Sequence, residues 1–194
     1  MLSFRTATAA LCLVASLSGL GAATIPRHSP EFAINTNSGR QILLSSQKGK
    51  VVALIFILTY CPHCQKTIGM LSTLQNEYGP RGFVVLSSAI EDMAAMAVPE
   101  FVKRFNPPFP VGYNDRNSVL DYLQHPVMNR LLMPQLVFVD KQFTIRAQYS
   151  GDDKFFGDDQ EKNLRAQIES LLQEGTGSAS TKKAPSTAKK KKIT

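Results

Sequence analysis

Apolar positions follow two different rhythms along this chain. Glu31–Asn35 and Gln41–Leu44 read as short strands about a turn at Asn37-Ser38-Gly39, which predicts a hairpin. Val51–Leu58 is an unbroken apolar run rich in Val and Ile, as a strand buried on both faces requires. The spacing then changes. Ile68, Leu71, Leu74 and Tyr78 recur at helical intervals until Gly79-Pro80 stops them. Phe83–Leu86 returns to strand, so a β-α-β unit is in place and the sheet is expected to be partly parallel.

Downstream, Pro99 is expected to open a helix that carries Phe101, Val102 and Phe105 on one face and ends at Asn106-Pro107-Pro108. Val119, Leu120 and Leu123 suggest a further short helix. Leu136–Asp140 and Thr144–Tyr149 flank a turn at Lys141-Gln142 and read as an antiparallel hairpin. Asp158 and Glu161 look like a capping pair for a last helix that turns Leu164, Ile168, Leu171 and Leu172 inward. No internal repeat is present. The class is α/β.

The two ends differ from this body. Arg5 and the amino terminus precede a mostly apolar Ala9–Leu20, and Gly21 and Ala23 fit a signal-peptidase site. Residues 1–23 are therefore expected to be a cleaved signal peptide, with an uncleaved membrane anchor as the alternative. The protein is then exported, to a periplasm or the cell exterior. Residues 24–174 form one domain of ordinary size. From Gly175 the composition turns to Gly, Ser, Thr, Ala, Pro and Lys, and residues 175–194 are expected to be a disordered Lys-rich tail. Its lysines favour a solubilising role, or weak contact with anionic lipid or wall polymer. These tail lysines and Arg5 account for the net charge of +7, because residues 24–174 carry equal numbers of acidic and basic side chains. The basic balance is thus no argument for a nucleic-acid partner.

Cleavage removes Cys12 and leaves Cys61 and Cys64, which bracket Pro62-His63 where the buried run meets the helical pattern. A bridge across two residues closes too small a loop to be a useful staple. As a helix start, however, the stretch is well formed. Cys61 is the N-cap, Pro62 occupies the position where a missing N–H is harmless, and the free N–H groups point at the Cys61 sulfur. That environment favours a thiolate, the species that attacks disulfides, with Cys64 one turn away on the same face. A redox couple follows, with Cys61 attacking and Cys64 resolving. Zinc lacks a second ligand pair, since only His28 and His125 remain beyond His63. Covalent haem would need His where Gln65 stands. Copper(I), with Met133 as a third soft ligand, remains an alternative of a different class. No cofactor is expected.

The stretch SPEFAINTNSGRQILLSSQKGKVVALIFILTYCPHC resembles the opening of TlpA-like thioredoxin-fold oxidoreductases, within the wider redoxin (AhpC-TSA) group. Pro30, Phe32, Gly39, Leu44, Ser45, Lys48, Gly49, Lys50, Cys61 and Cys64 fill the family's places. Further on, MPQLVFVDKQFTI resembles the segment where a cis-proline faces the cysteines, here Pro134. The resemblance spans Ser29 to Leu172. It implies a thioredoxin-like fold, a mixed central sheet flanked by helices, with an N-terminal hairpin and an inserted β-α unit. Protein thiols and disulfides and a further redox partner are the expected partners, and the chain is expected to be a monomer. Substrate contacts are expected at Tyr60, Met133 and Pro134. Relatives are often reductants of cytochrome maturation, whereas the Pro-His pair is similar to that of DsbA-like oxidants. Ile55 and Thr67 stand where thioredoxins and TlpA-like reductases carry a carboxylate, Tyr60 replaces the usual Trp, and Gln135 the usual Thr. The sequence thus shows no buried acid to take the Cys64 proton, and with His63 beside Cys61 the expected direction leans oxidising. Peroxiredoxins share the fold but use Pro-x-x-x-Thr-x-x-Cys. Leu54 and Leu58 hold those places, which argues against a peroxidase.

Overall fold

The computed structural model describes residues 23–174; the expected signal peptide, apart from its last residue, and the Lys-rich tail lie outside them. In chain order the elements are β1 (Arg27–His28), β2 (Ala33–Asn35), β3 (Gln41–Leu43), β4 (Val51–Ile57), α1 (Pro62–Tyr78), β5 (Phe83–Ala89), α2 (Ala94–Phe105), β6 (Val111–Tyr113), α3 (Arg116–Leu123), β7 (Gln135–Val139), β8 (Thr144–Tyr149) and α4 (Gln160–Glu174). One eight-stranded sheet runs β1-β8-β7-β4-β5-β6-β2-β3. β4 pairs parallel with β5, and β5 with β6, while β7, β8 and the N-terminal hairpin pair antiparallel. All seven residues of β4 are buried, because it is central and covered on both faces. Among the described residues no helix is long and apolar enough to cross a membrane.

Alternation within the strands sorts two cores. Val51, Ala53, Ile55 and Ile57 face α1, α2 and α4. Val52, Leu54 and Phe56 face α3 and the N-terminal segment, where Phe32, Phe56 and Tyr122 meet ring to ring. The sheet is strongly curled, as chain geometry demands. Only four residues join β1 to β2, strands that stand six places apart in the sheet. Such a link reaches about 17 Å, whereas six strand spacings laid flat need about 29 Å. The hairpin docks on β6 through Asn35 and Tyr113, and a Cβ at Gly112 would lie 2.2 Å from the Asn35 carbonyl oxygen.

Several boundaries differ from the sequence reading. Pro99 does not open α2 but lies inside it. The missing N–H leaves the Ala95 carbonyl, one turn earlier, without its helical donor. Asn37 Nδ2, from the hairpin turn, donates to that oxygen at 2.6 Å. β5 runs on to Ala89, and Leu44 leaves β3 for a short 3-10 turn. α4 begins at Gln160, beyond Asp158, and the Glu161 carboxylate accepts from Arg165 instead of capping the helix. The β1 strand was not anticipated.

Candidate active site

β4 ends at Ile57, and the loop Leu58-Thr59-Tyr60 carries the chain into α1. Cys61 N donates to Leu58 O at 3.0 Å, and Gln65 N donates to Cys61 O at 3.0 Å, which closes the first helical turn. Cys61 is the N-cap, with extended backbone, and its sulfur accepts from Cys64 N at 3.4 Å. Pro62 opens the helix. Cys61 is half-buried and Cys64 fully buried, and both are free thiols. The couple is therefore asymmetric: one sulfur meets solvent at the positive end of a 17-residue helix, and the other waits one turn behind it. Burial pushes the Cys64 thiol well above its ordinary range. The Leu58 backbone N–H opposes that rise, while the charges of Cys61 and Glu91 add to it.

The helix start is held from below. Thr67 Oγ1 donates to His63 O at 2.9 Å and accepts from Gln160 Nε2 at 2.8 Å, with both side chains buried. Thr67 is thus a link between α1 and α4. Nothing local in the sequence marks Gln160, a polar residue in the first turn of an amphipathic helix.

The Met133–Pro134 peptide is cis, and β7 starts at the next residue. Pro134 lines a hollow of about 300 Å³ with His63, Thr67, Gly151 and Gln160, so the structure brings together the α1 start and the cis-proline loop. His63 is exposed there, near Asp152, Asp153 and Lys154. Gln135 is buried, and its amide donates to Leu132 O at 2.5 Å and Ser150 Oγ at 2.9 Å, which fixes the loop on β8. Gly151 sits against Met133: a Cβ there would lie 2.3 Å from the Met133 carbonyl oxygen. The Met133 side chain packs against both cores. Among the described residues, no three His, Cys, Asp or Glu side chains converge as a metal site.

On the other side of Cys61, Tyr60 is 68% exposed. With Met93, Met96, Leu58 and Ile90 it rims a hollow of about 660 Å³ that also holds Glu91 and Arg116. Met93 and Met96 are likewise exposed. Glu91 corrects the sequence reading. A carboxylate does add its charge, after burial and Cys61, to what raises the Cys64 thiol, but it comes from the loop after β5 and not from either motif position.

The sequence pattern of the AhpC/TSA family matches residues 25–148. Among curated proteins, a thiol-disulfide oxidoreductase ResA of Bacillus cereus is 28% identical over 96 residues, which cover 50% of this chain and 55% of that protein. ResA of Bacillus thuringiensis subsp. konkukian is 24% identical over 128 residues, covering 66% and 70%. The chain thus spans little more than half the length of the first of these relatives. Among solved structures, a thiol:disulfide interchange protein of the thioredoxin family from Chlorobium tepidum TLS superposes with a TM-score of 0.64 at 19% identity, over 78% of this chain and 99% of that one. That likeness fixes the fold as thioredoxin-like.

Proposed function

This chain belongs to the AhpC/TSA family, and from that premise we propose that it is an exported thiol–disulfide oxidoreductase working on protein substrates. The observation that carries the reading is the asymmetry of the couple: a half-buried Cys61 sulfur capping α1, with Cys64 buried directly behind it. Cys61 thiolate attacks a substrate disulfide and forms a mixed disulfide. Cys64 then attacks Cys61, and the substrate leaves as a thiol. The cis peptide at Met133–Pro134 shares a hollow with His63 at the start of α1, and the exposed Tyr60 precedes Cys61, so an extended substrate segment would lie along this end of the helix. In the reverse direction the same steps give the substrate a disulfide. Export rests on the pattern of residues 1–23, and amino-terminal sequencing of the mature protein tests it.

Direction has support on both sides. The oxidant reading draws on His63 at the second position of α1, from which a ring N–H directed at the Cys61 sulfur would stabilise the reduced couple. Glu91 favours the reductive reading, because the missing acid was half of the oxidant argument. A standard potential measured against glutathione decides. A value less reducing than thioredoxin's, about −270 mV, supports the oxidant, and His63→Pro then makes the couple more reducing.

The activity itself is tested by single substitutions. Cys61→Ser abolishes exchange with a disulfide-bonded model protein, and Cys64→Ser accumulates a covalent complex through Cys61. Complexes that accumulate on Cys61→Ser instead would reverse the assigned roles, and turnover by both variants would refute the reading.

A further inference from the structure

A buried thiol must lose its proton before it can attack, and its surroundings must supply the base. The loop after β5 presents one. Ile90 N donates to Ile57 O at 3.1 Å, which ties this loop to the end of β4. Glu91 Oε1 accepts from Thr59 N at 3.0 Å and also from the Thr59 hydroxyl. Thr59 O in turn accepts from Gln65 Nε2 of α1 at 2.8 Å. The carboxylate is thus held on the short loop that delivers the chain into the cysteine helix. Its second oxygen, Oε2, is buried and has no hydrogen-bond partner. An unmade hydrogen bond on a buried carboxylate oxygen is unusual and asks for a reason.

We propose that Glu91 is the proton acceptor of Cys64 in the resolving step. The inference rests on the exchange reading above and assigns it a group outside the motif. In that step the Cys64 Sγ–H proton passes to Glu91 Oε2. The sulfur's electron pair forms the bond to Cys61 Sγ, the Cys61–substrate S–S bond breaks, and its electron pair leaves with the substrate thiolate. The cysteine pair is oxidised and the substrate disulfide reduced by two electrons. Run backwards, protonated Glu91 returns the proton to Cys64.

Two observations support the assignment. The unpaired Glu91 Oε2 is buried on the loop bonded to Thr59, with its charge adding to what raises the Cys64 thiol, and the Leu58 N–H that bonds the same sulfur comes from the residue before Thr59. One loop therefore presents both the thiol's hydrogen-bond donor and the anchor of its base. The other ionisable groups around Glu91 are Asp92 on its own loop, Tyr60 and the two cysteines from the β4–α1 side, and Arg116 of α3. Asp92 and Arg116 line the outer hollow with it, so two carboxylates face one guanidinium there.

The test uses the reduced full chain mixed with an aromatic disulfide whose thiolate is coloured. Attack by Cys61 releases the first thiolate, and attack by Cys64 on the mixed disulfide releases the second. In the wild type the second phase is expected not to climb with hydroxide between pH 7 and pH 8. Glu91→Gln keeps an acceptor for Thr59 but loses the base. Its second phase is expected to fall on the order of 10²-fold at pH 7 and to climb tenfold per pH unit, with the loss confined to that phase. Equal loss in both phases at every pH would make Glu91 a structural residue and overturn the proposal. So would an unchanged second phase. Should Glu91→Gln fail to fold, the wild-type profile decides: a second phase that climbs with hydroxide through pH 8 overturns the assignment. Absence of any release from the wild type, or release by Cys61→Ser, defeats the exchange reading instead.

Discussion

Replacing Gly151 by Ala tests how tightly the cis-proline loop is clamped. A Cβ at this position would lie 2.3 Å from the Met133 oxygen, 2.5 Å from its carbonyl carbon and 2.9 Å from its nitrogen. Unstrained contacts between heavy atoms begin at about 3.5 Å, so the two segments must part by roughly 1 Å. All three obstacles are backbone atoms, and no side chain can swing away to make room. The loop is also pinned on both flanks: Gly151 N donates to Leu132 O at 3.1 Å, and the Gln135 amide bonds Leu132 and Ser150. Overpacking of a well-filled site costs about 1–3 kcal/mol, and with nothing free to relax the upper end applies. The smaller conformational entropy of unfolded Ala returns about 0.4–1 kcal/mol. The net loss is about 2–2.6 kcal/mol, or a fall in Tm of roughly 4–10 °C for a domain of this size. The control is Gly69→Ala, on the exposed face of α1, where a Cβ meets nothing within 4 Å. There the helix gains about 0.5–1 kcal/mol. Thermal unfolding of the reduced proteins, followed by circular dichroism, compares the two. If Gly151→Ala melts within about 1 °C of the wild type, or rises as Gly69→Ala does, the clamp is not there.

Three further outcomes are expected. Asp115 caps α3, with Ser118 N at 2.9 Å, and the backbone and hydroxyl of Ser118 hold its carboxyl below the ordinary value of 3.8. A depressed acid stabilises above its unfolded value and loses that contribution as pH falls through its folded value. Asp115→Ala should therefore cost about 1 kcal/mol at pH 7, a difference that shrinks below about pH 4 in parallel urea titrations. For Cys64 the sign is opposite. Its thiol is raised above the ordinary value of 9.0, chiefly by burial, so the folded state keeps a proton that the unfolded state releases. Stability of the reduced protein should fall above about pH 9 by up to about 1.4 kcal/mol per pH unit more than in Cys64→Ser; parallel slopes would show that Cys64 ionises freely when folded. Asn37→Ala removes the donor to the Ala95 carbonyl. It should cost about 0.5–1.5 kcal/mol and speed amide exchange in the first turn of α2; exchange unchanged there would show that the turn needs no outside partner.

What could be read from the sequence was what local pattern decides. The unbroken run of β4, the helical spacing of α1 and the Cys-Pro-His-Cys junction each carry their reason within one short window. The misses share a different cause. Pro99 looked like a helix start because its breaking effect is local, whereas the donor that repairs the break sits on Asn37, in another element. β1 is two polar residues, with no alternation to see, and exists only because β8 offers an edge. Glu91 stands well downstream of the cysteines and bonds the loop before them because β4 and β5 run parallel and end together, at Ile57 and Ala89. A search at fixed offsets from Cys61 finds Ile55 and Thr67 and misses it.

The four-residue link between β1 and β2 has a consequence for the order in which this domain is built. β1 pairs with Thr144 and Ile145, and β2, beyond its local hairpin with β3, with Tyr113. The partners that seat these first strands in the sheet are therefore made roughly a hundred residues later, at the far end of a loop-closure cost that the hairpin itself does not bear. Because one short link joins β1 at one edge to the hairpin at the other, neither takes its place in the sheet until the strands between them have assembled and curled. The segment that leaves the ribosome early is thus among the last to dock, and when it does it fastens both margins of the sheet at once.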